Sequence, residues 1–368
     1  MAALEAALAL RELAAERVST TLLAPEREFV YRPLSVAEPF GHRTARRYSI
    51  DEIAQDIGAE FKHDAFTALD AQGRIVGTEN GEQLEYDALL LAMGAKTRPR
   101  FRHALTIDDR HLDEQLHGLI QDVEEGYVHE LAFLVPSPVT WPLPIYELAL
   151  MTANRAFEMN VDLEITLITP EDAPLTIFGA EASEAVRRLL EQRGIRTITS
   201  TNCETPEPGR VSLHGGMTNL YPDRIVALPE LVGPFARGVH EWALNGFISV
   251  EDHFRVRSLD RVYAAGDATD SPVKFGGLAA QQADAAAQSI AALAGAPVEP
   301  GPFTPVIYGV LLTGQKPLYV SAQITDGEGL RSEITNKPSR WPPTKIAAKY
   351  LAPYLAARDR EAGDAALR

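Results

Sequence analysis

Two short stretches of this chain carry residue types whose order suggests cofactor chemistry. In RVYAAGDATDSPVKFGGLAAQQ an apolar run at 262–265 leads into Gly266-Asp267, then through a turn to Gly276-Gly277 and an alanine-rich helical stretch from about Leu278. A strand ending in Gly-Asp, followed by Gly-Gly at a helix start, suits an extended diphosphate cofactor. Gly266 lets the backbone approach it, and Asp267 accepts hydrogen bonds from sugar or ribityl hydroxyls. The free N–H groups of Leu278 and Ala279, beside Gly277, then face a phosphate or an electron-rich ring. The same residues also make an ordinary strand–turn–helix, with Asp267 as a simple cap. In YDALLLAMGAKTRP (86–99) a second apolar strand, 88–93, stops at Gly94, which lets the backbone pass a cofactor or merely closes a turn.

The elements that must position these residues follow from hydrophobic period and turn chemistry. Residues 2–15 have a helical pattern, 18–23 a short strand, and 43–62 a mixed pattern. Strands at 65–69 and 74–78 lead to Asn80-Gly81, a hairpin turn signal. A second α/β unit begins at Glu130: strand 131–135, a proline-rich turn, helix 145–159, strand 163–169, helix 180–193 and strand 195–199. Such alternation predicts a mostly parallel sheet covered by helices. Residues 295–305 form a Pro/Gly-rich linker, followed by strand-like runs at 307–312 and 317–324 and a final helix near 346–358.

Composition bounds the function. With 368 residues, 45% hydrophobic and 23% charged, the chain buries a sizeable core and predicts two domains. A net charge of -16 argues against nucleic acid and against electrostatic attachment to anionic lipid. The single cysteine, Cys203, forms no intramolecular disulfide and no thiolate cluster, which fits a reducing cytoplasm. No stretch reads as a signal peptide or a membrane-spanning helix; 131–154 is broken by Pro136, Pro138, Pro142 and Pro144. His240 and the other histidines show no metal spacing.

Three features together resemble the pyridine nucleotide-disulfide oxidoreductase superfamily, on the branch of type II NADH dehydrogenases and sulfide:quinone oxidoreductases. They are YDALLLAMGAKTRP, with Met93 in place of the threonine of an Ala-Thr-Gly strand end, the Gly266-Asp267 segment, and FVYRPLSVAEPFG (29–41). The resemblance implies an α/β fold of two Rossmann-like three-layer domains, the second inserted in the first. FAD would be bound by 1–125 plus 240–300. An NAD(P)-binding-like domain would occupy 126–239, and a small α+β segment 301–368. One departure stands out: Met1-Ala2-Ala3-Leu4-Glu5 already reads as the first helix, with Ala3 where the third glycine of Gly-x-Gly-x-x-Gly falls. The strands near Val18 and Val262 should then flank an empty slot. A start at a late methionine is the preferred explanation, ahead of a true lack of the pyrophosphate grip.

By the resemblance, the cofactor contacts fall at Ala3, Pro25, Glu26, Arg32, Pro33, Ala92, Met93, Gly94, Gly266, Asp267, Lys274, Gly277, Leu278 and Ala279. Glu26 and Arg32 also read as surface residues, and Lys274 as a flavin-tuning cation or a solvated lysine. Glu147 matches a glutamate that points towards the flavin and acceptor and is expected to relay a proton, or is a helix-start carboxylate favoured by the dipole. Gln281 and Gln282 match glutamines at a quinone face, or form a polar helix face. In the inserted domain VPSPVTWPLPIY (135–146) replaces a glycine-rich turn, while Glu171 offers an acid for a ribose, so NAD(P)H stays open as a donor. One cysteine excludes a redox disulfide. The implied activity is a cytoplasmic FAD-dependent oxidoreductase passing electrons from a reduced small-molecule donor to a quinone-like or small acceptor. The alternative is a non-catalytic scaffold or sensor. Residues 340–363 suit docking on a membrane surface or partner subunit, or plain domain capping.

Overall fold

Alanine and leucine make the first helix, α1 (Ala2–Ala14), a strong helix former that buries mostly alanines. The computed structural model describes residues 1–33, 35–41, 45–107, 112–136, 141–239, 244–325, 328–338 and 345–366. Strand β1 (Thr21–Ala24) follows, starting three residues later than the apolar run suggested. Of the region read as mixed, 43–62, the described part holds the strand Arg46–Ser49, helix α2 (Ile50–Ile57) and most of β2 (Glu60–His63). Helix α2 begins where the Ser49 hydroxyl accepts the Glu52 N–H at 3.3 Å and ends at Gly58, left-handed at φ 68. β1 and β2 pair in parallel from Thr21↔Glu60 to Ala24↔His63. The Asn80-Gly81 turn joins Ile75–Thr78 to Gln83–Glu85, and Phe66–Asp70 completes that antiparallel sheet.

Strand β3 (Leu89–Leu91) precedes the second α/β unit. This unit contains β4 (Glu130–Leu134), α3 (Leu143–Met159), β5 (Glu164–Ile168), α4 (Ala180–Gln192), β6 (Arg196–Ile198) and β7 (Arg224–Ala227). With the short strand Leu105–Thr106 they form one parallel sheet, ordered Leu105–Thr106, β7, β4, β5, β6. Leu131 to Leu134 are buried without alternation, as a central parallel strand covered on both faces requires. An antiparallel meander over 203–220, absent from the sequence reading, interrupts the unit before β7.

The chain then returns to β8 (Val262–Ala264), which pairs in parallel with β3, and enters α5 (Gly276–Leu293). Strands β9 (Val306–Leu311), β10 (Leu318–Thr325) and β11 (Glu328–Thr335) make an antiparallel sheet, and α6 (Leu351–Ala366) ends the chain. Helix α6 buries Leu351, Ala352 and Leu355 against Leu4, Ile50 and Ile53, while Arg358 and Tyr354 hold Asp56 of α2. This arrangement is the capping reading of the C-terminal segment. No described helix is long and apolar enough to cross a membrane.

Helix α1 packs along α5 through Ala2, Ala6, Ala9 and Ala14 against Ala279, Ala283, Ala286 and Ala287. Small side chains let the two helices approach closely, and α1 shares buried clusters with Leu22 of β1 and Tyr263 of β8. The pairs β2–β1 and β8–β3 are not bonded to one another, in keeping with the slot expected between β1 and β8. Because Ala286 is fully buried in the alanine contact, Ala286→Leu forces the helices apart. It should destabilise by about 1–3 kcal/mol, read as a lower denaturation midpoint at unchanged slope.

Candidate functional site

The site begins with a register. Leu89↔Val262, Leu90↔Tyr263 and Leu91↔Ala264 are opposite one another, and the Ala265 N–H donates to the Leu91 carbonyl at 3.1 Å. Parallel strands release their chains at the same edge, so Ala92-Met93-Gly94 and Ala265-Gly266-Asp267 emerge side by side. Gly94 is left-handed at φ 71, and a Cβ there would meet open space. Gly266 is left-handed at φ 82, and a Cβ there would lie 3.2 Å from the Ala279 Cβ and 3.6 Å from the Ala2 Cβ. Ala2 and Ala279 stand in the first turns of α1 and α5. Two helix N-termini therefore converge on the Gly-Asp turn, where their partial positive charge favours an anion.

The turn is braced from behind. Gln282 accepts the Gly266 N–H at 2.7 Å and donates to the Ser271 hydroxyl at 2.8 Å. Lys274 is buried, donates to the Thr269 carbonyl, and lies 4.0 Å over the Phe247 ring. Burial lowers its ammonium to about 8, against the pull of Asp267 and Asp270. Gln281 bonds the Val306 backbone at both its amide ends, at 2.7 and 3.0 Å, and so ties α5 to β9. The expected glutamines are thus both engaged inside the fold. Gly277 and Leu278 are buried, Ala3, Arg32, Pro33, Ala92 and Asp267 half-buried, and Met93, Pro25 and Glu26 exposed. The Pro25 carbonyl meets the His63 ring at 2.9 Å.

Glu147 lies in the first turns of α3, fully buried. Its carboxylate accepts from the Leu312 N–H at 3.0 Å and from Lys345 Nζ at 2.6 Å. Burial raises its pKa, and Lys345 opposes that rise. The neighbouring Ile346 packs on Gly276, so the pair stands close to the start of α5. Trp141, before α3, stacks on Phe275, before α5, with centroids 4.5 Å apart and planes 23° apart. Neither Lys345 nor this aromatic contact was identified from sequence. Lys345 is 198 positions from Glu147, beyond any local pattern.

The inserted unit handles its acid differently from the sequence expectation. Glu171 is turned inward, accepting from the Tyr146 hydroxyl at 2.7 Å and from Thr169 Oγ1 at 2.9 Å, and burial raises its pKa. Pro142 and Pro144 at the start of α3 bring no N–H groups to a phosphate. Residues 137–140 of that turn, like His240, lie outside the described residues. Cys203 is buried and its thiol is pushed up to about 12, so no thiolate is available there at neutral pH. Among the described residues, no cluster of three His, Cys, Asp or Glu could hold a metal ion.

The sulfide:quinone oxidoreductase of the hyperthermophilic bacterium Aquifex aeolicus superposes with a TM-score of 0.78, covering 91% of this chain and 85% of that one at 19% identity. A ferredoxin reductase from Rhodopseudomonas palustris superposes at 0.64, covering 88% and 80% at 18% identity. The chain has the fold of these two proteins. In sequence, it is 27% identical over 146 residues to a mercuric reductase of Bacillus cereus, a match spanning 34% of this chain and 22% of that protein's length. No family model matches the chain.

The geometry of this fold fits FAD at the Gly-Asp edge. Two helix N-termini face one point, and a left-handed glycine leaves no Cβ to intrude on either strand end. The Glu147–Lys345 pair gives a direct prediction. Lys345→Met leaves a carboxylate buried without its cation and should cost about 3–5 kcal/mol at neutral pH. Protonated Glu147 does not need that cation. Because burial holds its folded pKa above the ordinary carboxylate value, the variant should regain stability as pH falls through the folded pKa. Glu147→Gln/Lys345→Met should recover most of the loss. Denaturation midpoints across pH 5–8 check both points.

Proposed function

We propose that this chain is an FAD-dependent oxidoreductase that passes an electron pair from a reduced donor to a quinone-like or small electron carrier, without a redox disulfide. The observation that supports it most is the β3–β8 register, which brings Gly94 and Gly266-Asp267 to one edge between two helix N-termini. The FAD-binding part would comprise 1–125 and 240–300, with 126–239 inserted and 301–368 following. Quinone and ferredoxin, named in the two structural relatives, represent the acceptor classes this reading allows.

Bound FAD supplies the exchange of a hydride or electron pair, and the protein supplies binding, orientation and charge. The first N–H groups of α1, at Ala2 and Ala3, would hold the pyrophosphate, and Asp267 would accept from ribityl or sugar hydroxyls. Leu278 and Ala279 at the start of α5 would face the electron-rich edge of the ring. Lys274, charged below about pH 8, would favour the anionic reduced form through its field. Glu147 and Lys345, in contact at 2.6 Å, would carry a proton towards the acceptor. For NAD(P)H as donor, the inward hydrogen bonds of Glu171 weigh against a ribose contact there.

The full chain, purified after expression with adequate FAD, should be yellow with the absorbance bands of oxidised flavin. Glu147→Gln should slow acceptor reduction about a hundredfold while leaving those bands in place. A colourless protein that takes up no FAD would overturn the enzyme reading and favour the scaffold. Unchanged turnover in Glu147→Gln would remove the proton role alone.

A further inference from the structure

Helix α6 is capped by a residue from the other end of the chain. The Tyr350 and Leu351 N–H groups, at the start of α6, donate to the two carboxyl oxygens of Glu5 at 3.0 and 2.6 Å. Glu5 belongs to α1 and is fully buried, so it satisfies α6's orphan donors as an N-cap from outside the helix. Asp284, from α5, faces the same carboxyl closely enough for each to shift the other's titration. Its Oδ1 is buried and has no hydrogen-bond partner among the described residues. Two carboxyls in contact in a desolvated place do not both ionise readily.

We propose that Glu5 and Asp284 share one proton and act as a latch for the C-terminal helix. With that proton in place Glu5 caps α6. Its loss sets two negative charges together beneath the helix start, and α6 loosens. The consequence reaches the proposed site, because the stretch leading into α6 carries Lys345, bonded to Glu147, and Ile346, packed on Gly276. Residues 345–351 thus form a strap from α3 to α1 across the start of α5, pinned by a buried acid at each end. The latch itself does not depend on the flavin reading.

The other groups facing the pair are few. Lys349, just before α6, attracts Asp284 but donates to the Tyr350 hydroxyl at 2.9 Å. Glu12 of α1 faces Lys349 in turn. The Met1 amine faces Glu5 and Asp267, and burial lowers it to about 6. Burial and the Glu5 charge raise Asp284 to about 8. The docked state therefore holds more protons than an undocked one between the ordinary carboxylate range and about pH 8. Docking is strongest at the acid end of this window, weakens as pH climbs through it, and levels off above.

Hydrogen exchange on the full chain, followed by mass spectrometry and corrected for intrinsic rates, tests the latch at pH 6 and pH 9. Protection of 345–366 should fall by about tenfold or more in the native chain. Peptides from β4 and β5 should not change. In Asp284→Asn the protection should be the same at both pH values, with native circular dichroism confirming the fold. Native protection that does not change with pH would overturn the proposal. So would an equal fall in β4 and β5, or an Asp284→Asn profile that still drops.

Discussion

The pairing of Leu89–Leu91 with the buried strand Val262–Ala264 is the constraint from which the rest of the site follows. The long segment between them folds into its own five-stranded parallel sheet and returns the chain to a neighbouring position. Parallel pairing fixes direction as well as contact, so both strand ends point the same way and both turns open on one edge. A one-residue slip would turn the side chains of one strand to the opposite face. Full burial of Val262 and Ala264 opposes such a slip. The alanine contact between the first helix and the Gly-Gly helix then sets how closely two helix N-termini approach the Gly-Asp turn. Larger side chains in that contact would separate the two sources of positive potential that make the edge a place for an anion.

The fold draws several acids out of water, and each has its own physical solution. Glu147 meets a lysine and a backbone N–H, an ion pair that is strong only while both partners remain. Glu171 is satisfied by two hydroxyls without any cation. Glu5 serves as a helix cap. Asp284 has one oxygen left without a partner, and it is the one whose pKa rises to about 8. The contrast is informative because burial pushes the pKa of all four upward. Acids solved by pairing stabilise position, whereas an acid left short of partners responds to pH.

Much of the fold was legible because its signals are local. The alternation of strands and helices after Glu130, the Asn80-Gly81 turn and the Gly-Asp strand end each depend on a handful of consecutive residues. The side-by-side placement of Gly94 and Gly266 also followed once both strand ends had been recognised as parts of one pattern. Contacts between distant residues were not legible. Lys345 and Glu147 are 198 positions apart in the chain, and nothing near either announces the other. Gln281 and Gln282 sit where a ligand-facing residue could, yet backbone groups of the Gly-Asp turn and of β9 claim their amides. Glu5 did carry a local hint, an acid set within an apolar helical run, but its partners are backbone amides at the far end of the chain. The final helix begins five residues later than the hydrophobic pattern placed it, where Glu5 caps it.

The central claim is that the two adjacent strand ends border one and the same flavin. Titration of FAD into the full chain, followed by flavin absorbance and fluorescence, tests it in the native protein and in Gly94→Val and Gly266→Val. Saturable binding of one FAD per chain, weakened about tenfold or more by either substitution, is the result expected of a ligand touched from both strands. Native binding that survives both substitutions unchanged, or is weakened by only one of them, would contradict it.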